Sequence, residues 1–182
     1  MSTPEPALRD ALLAAVPSLR AFAISLSGQV DRADDLVQDT LLRALSNIDR
    51  FERGTNLNAW LFTILRNLFH SEYRKRRREV EDPDGSYAGR LKVQPEQGSR
   101  LDFEDFRGAL SQLPPDQREA LLLVGASGFS YEEAANICGC AVGTIKSRVN
   151  RARSRLALLL AVDDAEDLGP DRMTRAALQA IG

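Results

Sequence analysis

The chain of 182 residues has little of the material from which most catalytic sites are built. It contains one histidine, His70, and two cysteines, Cys138 and Cys140, which stand too close in sequence to form a comfortable disulfide. The sequence has no glycine-rich phosphate loop, no paired-ligand metal motif and no nucleophile elbow. It therefore predicts a protein that is not an enzyme and that holds no metal ion or cofactor.

Long hydrophobic runs are also absent. No run reaches the roughly 18–20 apolar residues that a membrane-spanning helix needs. The first twenty residues lack the basic start, apolar stretch and cleavage site of a signal peptide. We therefore expect a cytoplasmic protein without membrane contact. A composition of 43% hydrophobic and 27% charged residues is enough for a core, and it excludes a wholly disordered chain.

Charge is distributed in blocks, although the formal net charge is only −2. Residues 66–78 carry six bases and one acid, and residues 146–155 carry five bases and no acid. Acidic stretches follow each block, with eight acids against three bases in 79–105 and five acids in 163–171. Two basic patches suggest two contacts with a polyanion, and the alternative is a pair of solvated helix faces.

The first 78 residues predict an all-helical domain, because apolar residues recur with a period of 3.6. Helices are expected over about 7–26, 32–48 and 58–78, with a kink or a break at Pro17. In the second helix the inward positions are Ala33, Leu36, Val37, Leu41, Ala44, Leu45 and Ile48. Its outer face carries Asp34, Asp35, Gln38 and Asp39.

Residues 79–101 contain two prolines and three glycines with little periodicity, which predicts a flexible linker. A second helical domain is expected over 102–160, and an acidic tail over 161–182. In the second domain, Pro115 opens a helix that should extend through Val124.

The end of the second domain predicts a helix-turn-helix. Ser130 and Glu133 form a capping-box pair for a short helix, and Gly139 can turn the chain into a longer, basic helix. An ordinary helical hairpin with a charged face is the alternative. A recognition helix inserts its first turns into the major groove, where arginine and lysine read guanine. The candidate side chains there are Thr144, Lys146, Ser147, Arg148 and Arg151. Arg153 and Arg155 lie farther along and suit phosphates.

Aromatic and amide side chains accompany the first basic block. Trp60, Phe62, Asn67, Phe69 and Tyr73 could stack on the bases of a partly single strand, while the polar loop 47–58 could accept an unstacked base. Most of these rings are also needed for a core, and packing is the favoured interpretation for Trp60 and Phe69.

Three strings together resemble the extracytoplasmic-function (ECF) sigma factors of the sigma-70 superfamily. They are DRADDLVQDTLLRAL, NAWLFTILRNLFHSEYRKRRR and LPPDQREALLLVGASGFSYEEAANICGCAVGTIKSRVNRARSRL. The resemblance spans about residues 7–160. Within it, the segment RNLFHSEYRKRRREVEDPDG is similar to the EcfG type of the alphaproteobacterial general stress response. The resemblance implies two helical domains, joined by a flexible linker, that bind core RNA polymerase and promoter DNA.

The resemblance also implies roles for individual residues. The polar face Asp34, Asp35, Gln38 and Asp39 matches the surface that binds the β′ clamp helices. The residues that match the readers of the −10 element are Arg50, Phe51, Arg53, Asn56, Asn58, Arg66, Arg74, Lys75, Arg76 and Arg77. The helix after Ala141 matches the reader of a GGAAC-like −35 element.

EcfG-type proteins are held by a NepR-like anti-sigma factor, which a PhyR-like response regulator releases by offering a sigma-like decoy domain. Such a decoy is one alternative for this chain. A decoy is expected to carry a receiver domain of more than a hundred residues, whereas about twenty residues follow Leu160 here. A helix-turn-helix repressor is the other alternative, and it would need no acidic polymerase-binding face.

Overall fold

A computed structural model describes residues 6–79 and 101–160, and within these ranges the chain is helical with no strand. The predicted all-α class is therefore confirmed. The helices belong to two compact units, one within residues 1–89 and the other within residues 90–182. The predicted linker, except for its two end residues, and the predicted tail lie outside the described residues.

Within its described residues, 6–79, the first unit contains three α-helices, which match the three that the periodicity predicts. They are α1 (Pro6–Ser27), α2 (Val30–Ser46) and α3 (Leu57–Glu79). Gly28 separates α1 from α2 with a φ of 71°, a left-handed conformation that glycine adopts without strain. A 3₁₀ turn, Ile48–Arg50, opens the loop between α2 and α3.

Of the kink or break predicted at Pro17, the break is wrong, because α1 continues through this residue. Proline removes one backbone donor from the helix, so the carbonyl four residues earlier loses its usual partner. Pro17 lies on the exposed side of α1, as does Leu13, the residue four positions earlier. Water is therefore close to the unpaired carbonyl, which makes the loss cheaper than it would be inside the core.

The core of the first unit is formed by one stripe from each helix. Phe22 of α1 and Phe62 of α3 meet with their ring centroids 5.0 Å apart, and both are almost fully buried. The buried hydroxyl of Thr40 donates to the carbonyl of Leu36 at 2.6 Å, which satisfies it within α2. Leu45, which was predicted to face inward, is instead 40% exposed.

Helix α1 is long and apolar enough to cross a membrane by length and composition only, a test that the core helix of a folded domain also passes. Its segment Ala7–Ser27 has a mean hydropathy of 1.3. The buried stripe explains part of this value, because α1 contributes Leu12, Ala15, Leu19, Phe22 and Ala23 to the core.

The described part of the second unit, residues 101–160, contains four α-helices: α4 (Leu101–Ser111), α5 (Pro115–Leu121), α6 (Tyr131–Cys138) and α7 (Val142–Leu159). The helix predicted from Pro115 through Val124 is present, because helical structure continues without a break to Ala126. Its hydrogen-bonding pattern changes after Leu121 from α-helical to a π-helical turn, Leu122–Ala126. The wider turn buries Leu123 and Gly125, and Phe129 then enters the core.

The predicted helix-turn-helix is formed by α6 and α7. The Ser130 hydroxyl accepts from the Glu133 backbone N–H at 3.1 Å, and the Glu133 carboxylate accepts from the Ser130 N–H at 2.9 Å. This is the predicted capping box. Gly139 ends α6 with a φ of 63°, which lets the chain turn directly into α7.

We predict that Ser130→Ala lowers the free energy of unfolding by about 1 kcal/mol. The substitution disrupts the capping box that pairs the backbone N–H groups of Ser130 and Glu133. Denaturation of the full chain, followed by circular dichroism, measures this loss. Ser154→Ala is the matched control, since Ser154 is exposed within α7, and its effect should stay within about 0.5 kcal/mol. Equal effects of the two substitutions would contradict the capping role.

Candidate nucleic-acid interface

Helix α7 has one apolar face and one polar face. Ile145, Val149, Ala152 and Leu156 are fully buried against the rest of the second unit. The opposite face begins with the exposed Thr144 and Lys146 and continues with the other predicted residues: the half-buried Ser147 and Arg148 and the exposed Arg151. The N-terminal half of α7 therefore presents a polar, basic surface of the kind that enters a DNA groove.

Two cations on this surface are held by residues of the preceding helices. The Nε of Arg148 lies 3.1 Å from Oδ2 of Asp116 in the first turn of α5. The Nζ of Lys146 lies 5.7 Å from the ring centroid of Tyr131 in α6, which is a cation–π distance. Asp116 and Tyr131 could not be predicted as partners from the sequence, because nothing in the spacing links them to α7.

Arg153 is half-buried, as is Arg148, whereas the other bases of α7 are exposed. The Nε of Arg153 is buried and has no hydrogen-bond partner in the described part of the chain. A phosphate contact by Arg153 would therefore have to use its terminal nitrogens. Arg155, one turn before the end of α7, is exposed.

The loop before α3 and the first turn of α3 hold a second group of predicted residues. The Phe51 and Trp60 rings pack with centroids 5.3 Å apart, and both are half-buried. The Asn56 side-chain oxygen accepts from the Ala59 backbone N–H at 3.2 Å, so Asn56 also acts as the cap of α3. The other members of the group, all exposed at the surface, are Arg50, Arg53 and Asn58.

Helix α3 carries the predicted basic residues toward its C-terminal end. Arg74, Lys75 and Arg76 are exposed, Arg66 is half-buried, and the side chain of Arg77 lies outside the described residues. Phe62 is 1% exposed, so its proposed stacking on a base is wrong. Phe69 and Tyr73 stack with centroids 6.5 Å apart.

The acidic face of α2 is the third predicted surface. Asp34, Asp35, Gln38 and Asp39 are all exposed. Asp34 has a partner within the unit, because its Oδ1 lies 2.6 Å from the Nε of Arg20 in α1. The hydrogen bond from Arg20 lowers the pKa of Asp34 below its ordinary value and raises that of Arg20.

A groove of about 460 Å³ runs between α2 and α3 and brings the acidic and basic surfaces together. The residues that line it are Arg32, Asp35, Gln38, Asp39, Glu72, Lys75 and Arg76. Arg32 is the innermost cation, with its guanidinium 5.3 Å from the Phe69 centroid and 3.7 Å from the Glu72 carboxylate. Burial lowers the pKa of Arg32, with a smaller contribution from Arg76, but a guanidinium stays charged at neutral pH.

The described residues contain no cluster of three histidine, cysteine or acidic side chains that could hold a metal ion.

Two family models match the chain in the same two regions. Sigma-70 region 2 matches residues 13–79, and Sigma-70, region 4, matches residues 103–156. A curated relative, the ECF RNA polymerase sigma factor EcfG of Rhodopseudomonas palustris, is 75% identical over 175 residues, or 96% of this chain and 97% of that protein. The chain belongs to the ECF sigma factors.

A solved structure of a sigma factor agrees with this family. The sigma factor RpoE of Bartonella quintana, crystallised with the anti-sigma factor NepR, is 59% identical with a TM-score of 0.79. The match covers 88% of this chain and all of that one. The PhyRSL–NepR complex of Sphingomonas sp. Fr1 matches at 22% identity and a TM-score of 0.65, over 90% of this chain and 93% of that one. At this identity the likeness concerns the fold alone.

As an ECF sigma factor, the chain binds core RNA polymerase and directs transcription initiation at promoters. It is a non-enzymatic initiation factor, so the absence of a catalytic constellation from the sequence has a functional explanation.

We predict that Asp34 titrates below the ordinary aspartate range and that Arg20→Gln returns it to that range. The ion pair stabilises the fold above the unfolded-state pKa of about 3.9, and this stabilisation is lost as the pH falls through the folded-state pKa. Carboxyl carbon shifts in NMR spectra measure the midpoint. Arg9→Gln, which removes an exposed base of α1, should leave that midpoint unchanged, and an unchanged midpoint in Arg20→Gln would contradict the pairing.

Proposed function

We propose that this sigma factor serves the general stress response in the cytoplasm and divides its task between two domains. Residues 1–78 bind polymerase and the −10 element, residues 102–160 read the −35 element, residues 79–101 join the two, and residues 161–182 form a tail. The observation that carries this proposal is that α7 is amphipathic. Its apolar face is buried in the core, and its basic face therefore points to solvent.

The acidic face of α2 is the proposed contact with the β′ clamp helices of core polymerase. Asp35, Gln38 and Asp39 line the open groove, where a basic partner helix would meet two carboxylates. Asp34 contributes less, because its carboxylate is already paired with Arg20.

The loop and the basic end of α3 are the proposed −10 contacts. Arg50, Arg53 and Asn58 are exposed around the half-buried Phe51–Trp60 pair, which gives an unstacked base a mixed aromatic and polar surface. Arg74, Lys75, Arg76 and Arg77 would follow the phosphate backbone of the melting strand.

A NepR-like anti-sigma factor is the proposed inhibitor, with indirect release by a PhyR-like response regulator. Two similarities support inhibition by a NepR-like protein. They are the high identity to an EcfG protein and the similarity to a sigma factor that was crystallised with NepR. The PhyRSL complex shares the fold, as expected for a decoy, but its low identity does not favour the decoy role for this chain.

Strand opening tests the proposed function. The full chain is mixed with alphaproteobacterial core polymerase and a promoter with a GGAAC upstream element, and unpaired thymines and run-off transcripts are scored. Opening and transcription should require both proteins. Duplex binding without polymerase, and no opening with it, would instead favour a repressor.

We predict that Asp35→Asn combined with Asp39→Asn lowers the affinity for core polymerase about tenfold. The estimate takes roughly 0.7 kcal/mol for each lost charge contact at an interface. Fluorescence titration of labelled protein with core polymerase measures it. Asp10→Asn, which removes an exposed carboxylate from α1, is the matched control, and an equal loss in this control would argue against a specific acidic face.

We predict that Arg148→Ala and Arg76→Ala weaken promoter binding in different ways. Loss of a base-reading arginine should remove about 1–3 kcal/mol of preference for the intact −35 element. Loss of the phosphate contact by Arg76 should weaken binding on all sequences and reduce the salt slope by about 1. Holoenzyme titrations on intact and scrambled promoters, at several salt concentrations, separate the two patterns. If Arg148→Ala lowered the affinity for the intact and the scrambled promoters equally, base reading by Arg148 would be excluded.

A further inference from the structure

The guanidinium of Arg148 is held at two of its nitrogens before any DNA is bound. Its Nε pairs with Oδ2 of Asp116 at 3.1 Å, and its Nη1 donates to Sγ of Cys140 at 4.0 Å. The sulfur contact is long, so the carboxylate is the stronger of the two partners. A guanidinium has five N–H donors, and these contacts leave at most three for a base or a phosphate.

Asp116 is itself held in a defined position. It lies in the first turn of α5, directly after Pro115, which restricts the backbone at the start of the helix. A carboxylate is favoured in the first turn by the helix dipole. The core residues of α5, Ala120 and Leu121, are fully buried in the same unit as the apolar face of α7. The carboxylate and the guanidinium are therefore anchored on two elements of one packed unit.

Orientation matters for Arg148, because base reading and phosphate binding make different demands on an arginine. Bidentate recognition of guanine needs the guanidinium plane fixed against the base edge, whereas a phosphate can be met from many directions. The Arg148 side chain is 26% exposed and that of Asp116 is 51% exposed, so solvent and DNA can reach the pair. A carboxylate at this edge also repels nearby phosphates.

We propose that Asp116 is a positioning residue that sets the sequence preference of promoter recognition. It holds Arg148 with its outer N–H groups directed at a base edge, and it disfavours contacts of α7 with phosphates alone. The proposal rests on the proposed function of α7 as the −35 reader. Its signature is a pair of opposite effects: without the carboxylate, binding to the correct element weakens while binding to other sequences strengthens.

The test compares Asp116→Asn with the parent chain, each assembled with core polymerase, on promoters with intact and scrambled −35 elements. The ratio of the two affinities should fall about three- to tenfold, and affinity for the scrambled promoter should rise. Because one repelling charge is gone, the salt slope on the scrambled promoter should steepen. An unchanged ratio, or equal loss on both promoters, would overturn the proposal.

Matched variants separate positioning from a loss of stability or charge. Asp105→Asn removes an exposed carboxylate from α4 in the same unit, and it should leave the ratio unchanged. Asp116→Glu keeps the charge and should recover part of the preference. A fall in Asp105→Asn equal to that in Asp116→Asn would overturn the proposal, since any lost acid would then suffice.

Arg148→Ala distinguishes failure of this proposal from failure of the proposed function. If Arg148→Ala lowers the ratio and Asp116→Asn does not, positioning is overturned and the −35 assignment stands. If Arg148→Ala leaves the ratio unchanged, both fail. In the double variant, Asp116→Asn should lower the ratio no further than Arg148→Ala alone, and an additional loss would overturn the route through Arg148.

Discussion

The packing of α7 through Ile145, Val149 and Leu156 is the constraint on which the second unit depends. These side chains have no solvent exposure, so the rotation of the helix about its own axis is fixed by the core. The period of 3.6 then decides which residues face outward. The turn at Gly139 sets where the helix begins, and the capping box at Ser130 secures the helix before it. The recognition surface is thus a consequence of core packing rather than of its own charges.

A second feature recurs in both units: charged residues of the proposed binding surfaces have partners inside the protein. Asp34 pairs with Arg20, and Arg148 pairs with Asp116. Exposed pairs of this kind contribute little to stability. Their effect is on recognition, because they decide which charges remain open to a partner and in which direction a long side chain points. A count of acids and bases along the chain therefore overstates the charge that is available to polymerase or DNA.

The helices and the buried stripe of α7 could be predicted from the sequence, because both follow from periodicity and local capping. Other features depend on neighbours that are distant along the chain. Leu45 fits the apolar repeat of α2 but is exposed at the surface. The repeat defines a stripe of apolar positions on α2 that is wider than the surface that the neighbouring helices cover. Pro17 is tolerated because it faces water. The Asp116–Arg148 pair joins two helices by tertiary packing, and no spacing rule would have found it. The resemblance to sigma factors supplied the functional assignment, which composition alone had left open.

Guanine methylation interference tests the central claim most directly, namely that α7 reads base edges in the major groove of the −35 element. A methyl group on N7 blocks the acceptor that arginine uses. In holoenzyme with the parent chain, methylation of specific upstream guanines should prevent binding. With Arg148→Ala, interference at one of those guanines should disappear while the remaining positions keep theirs. An identical interference pattern for the two proteins, or none at any upstream guanine, would contradict the account.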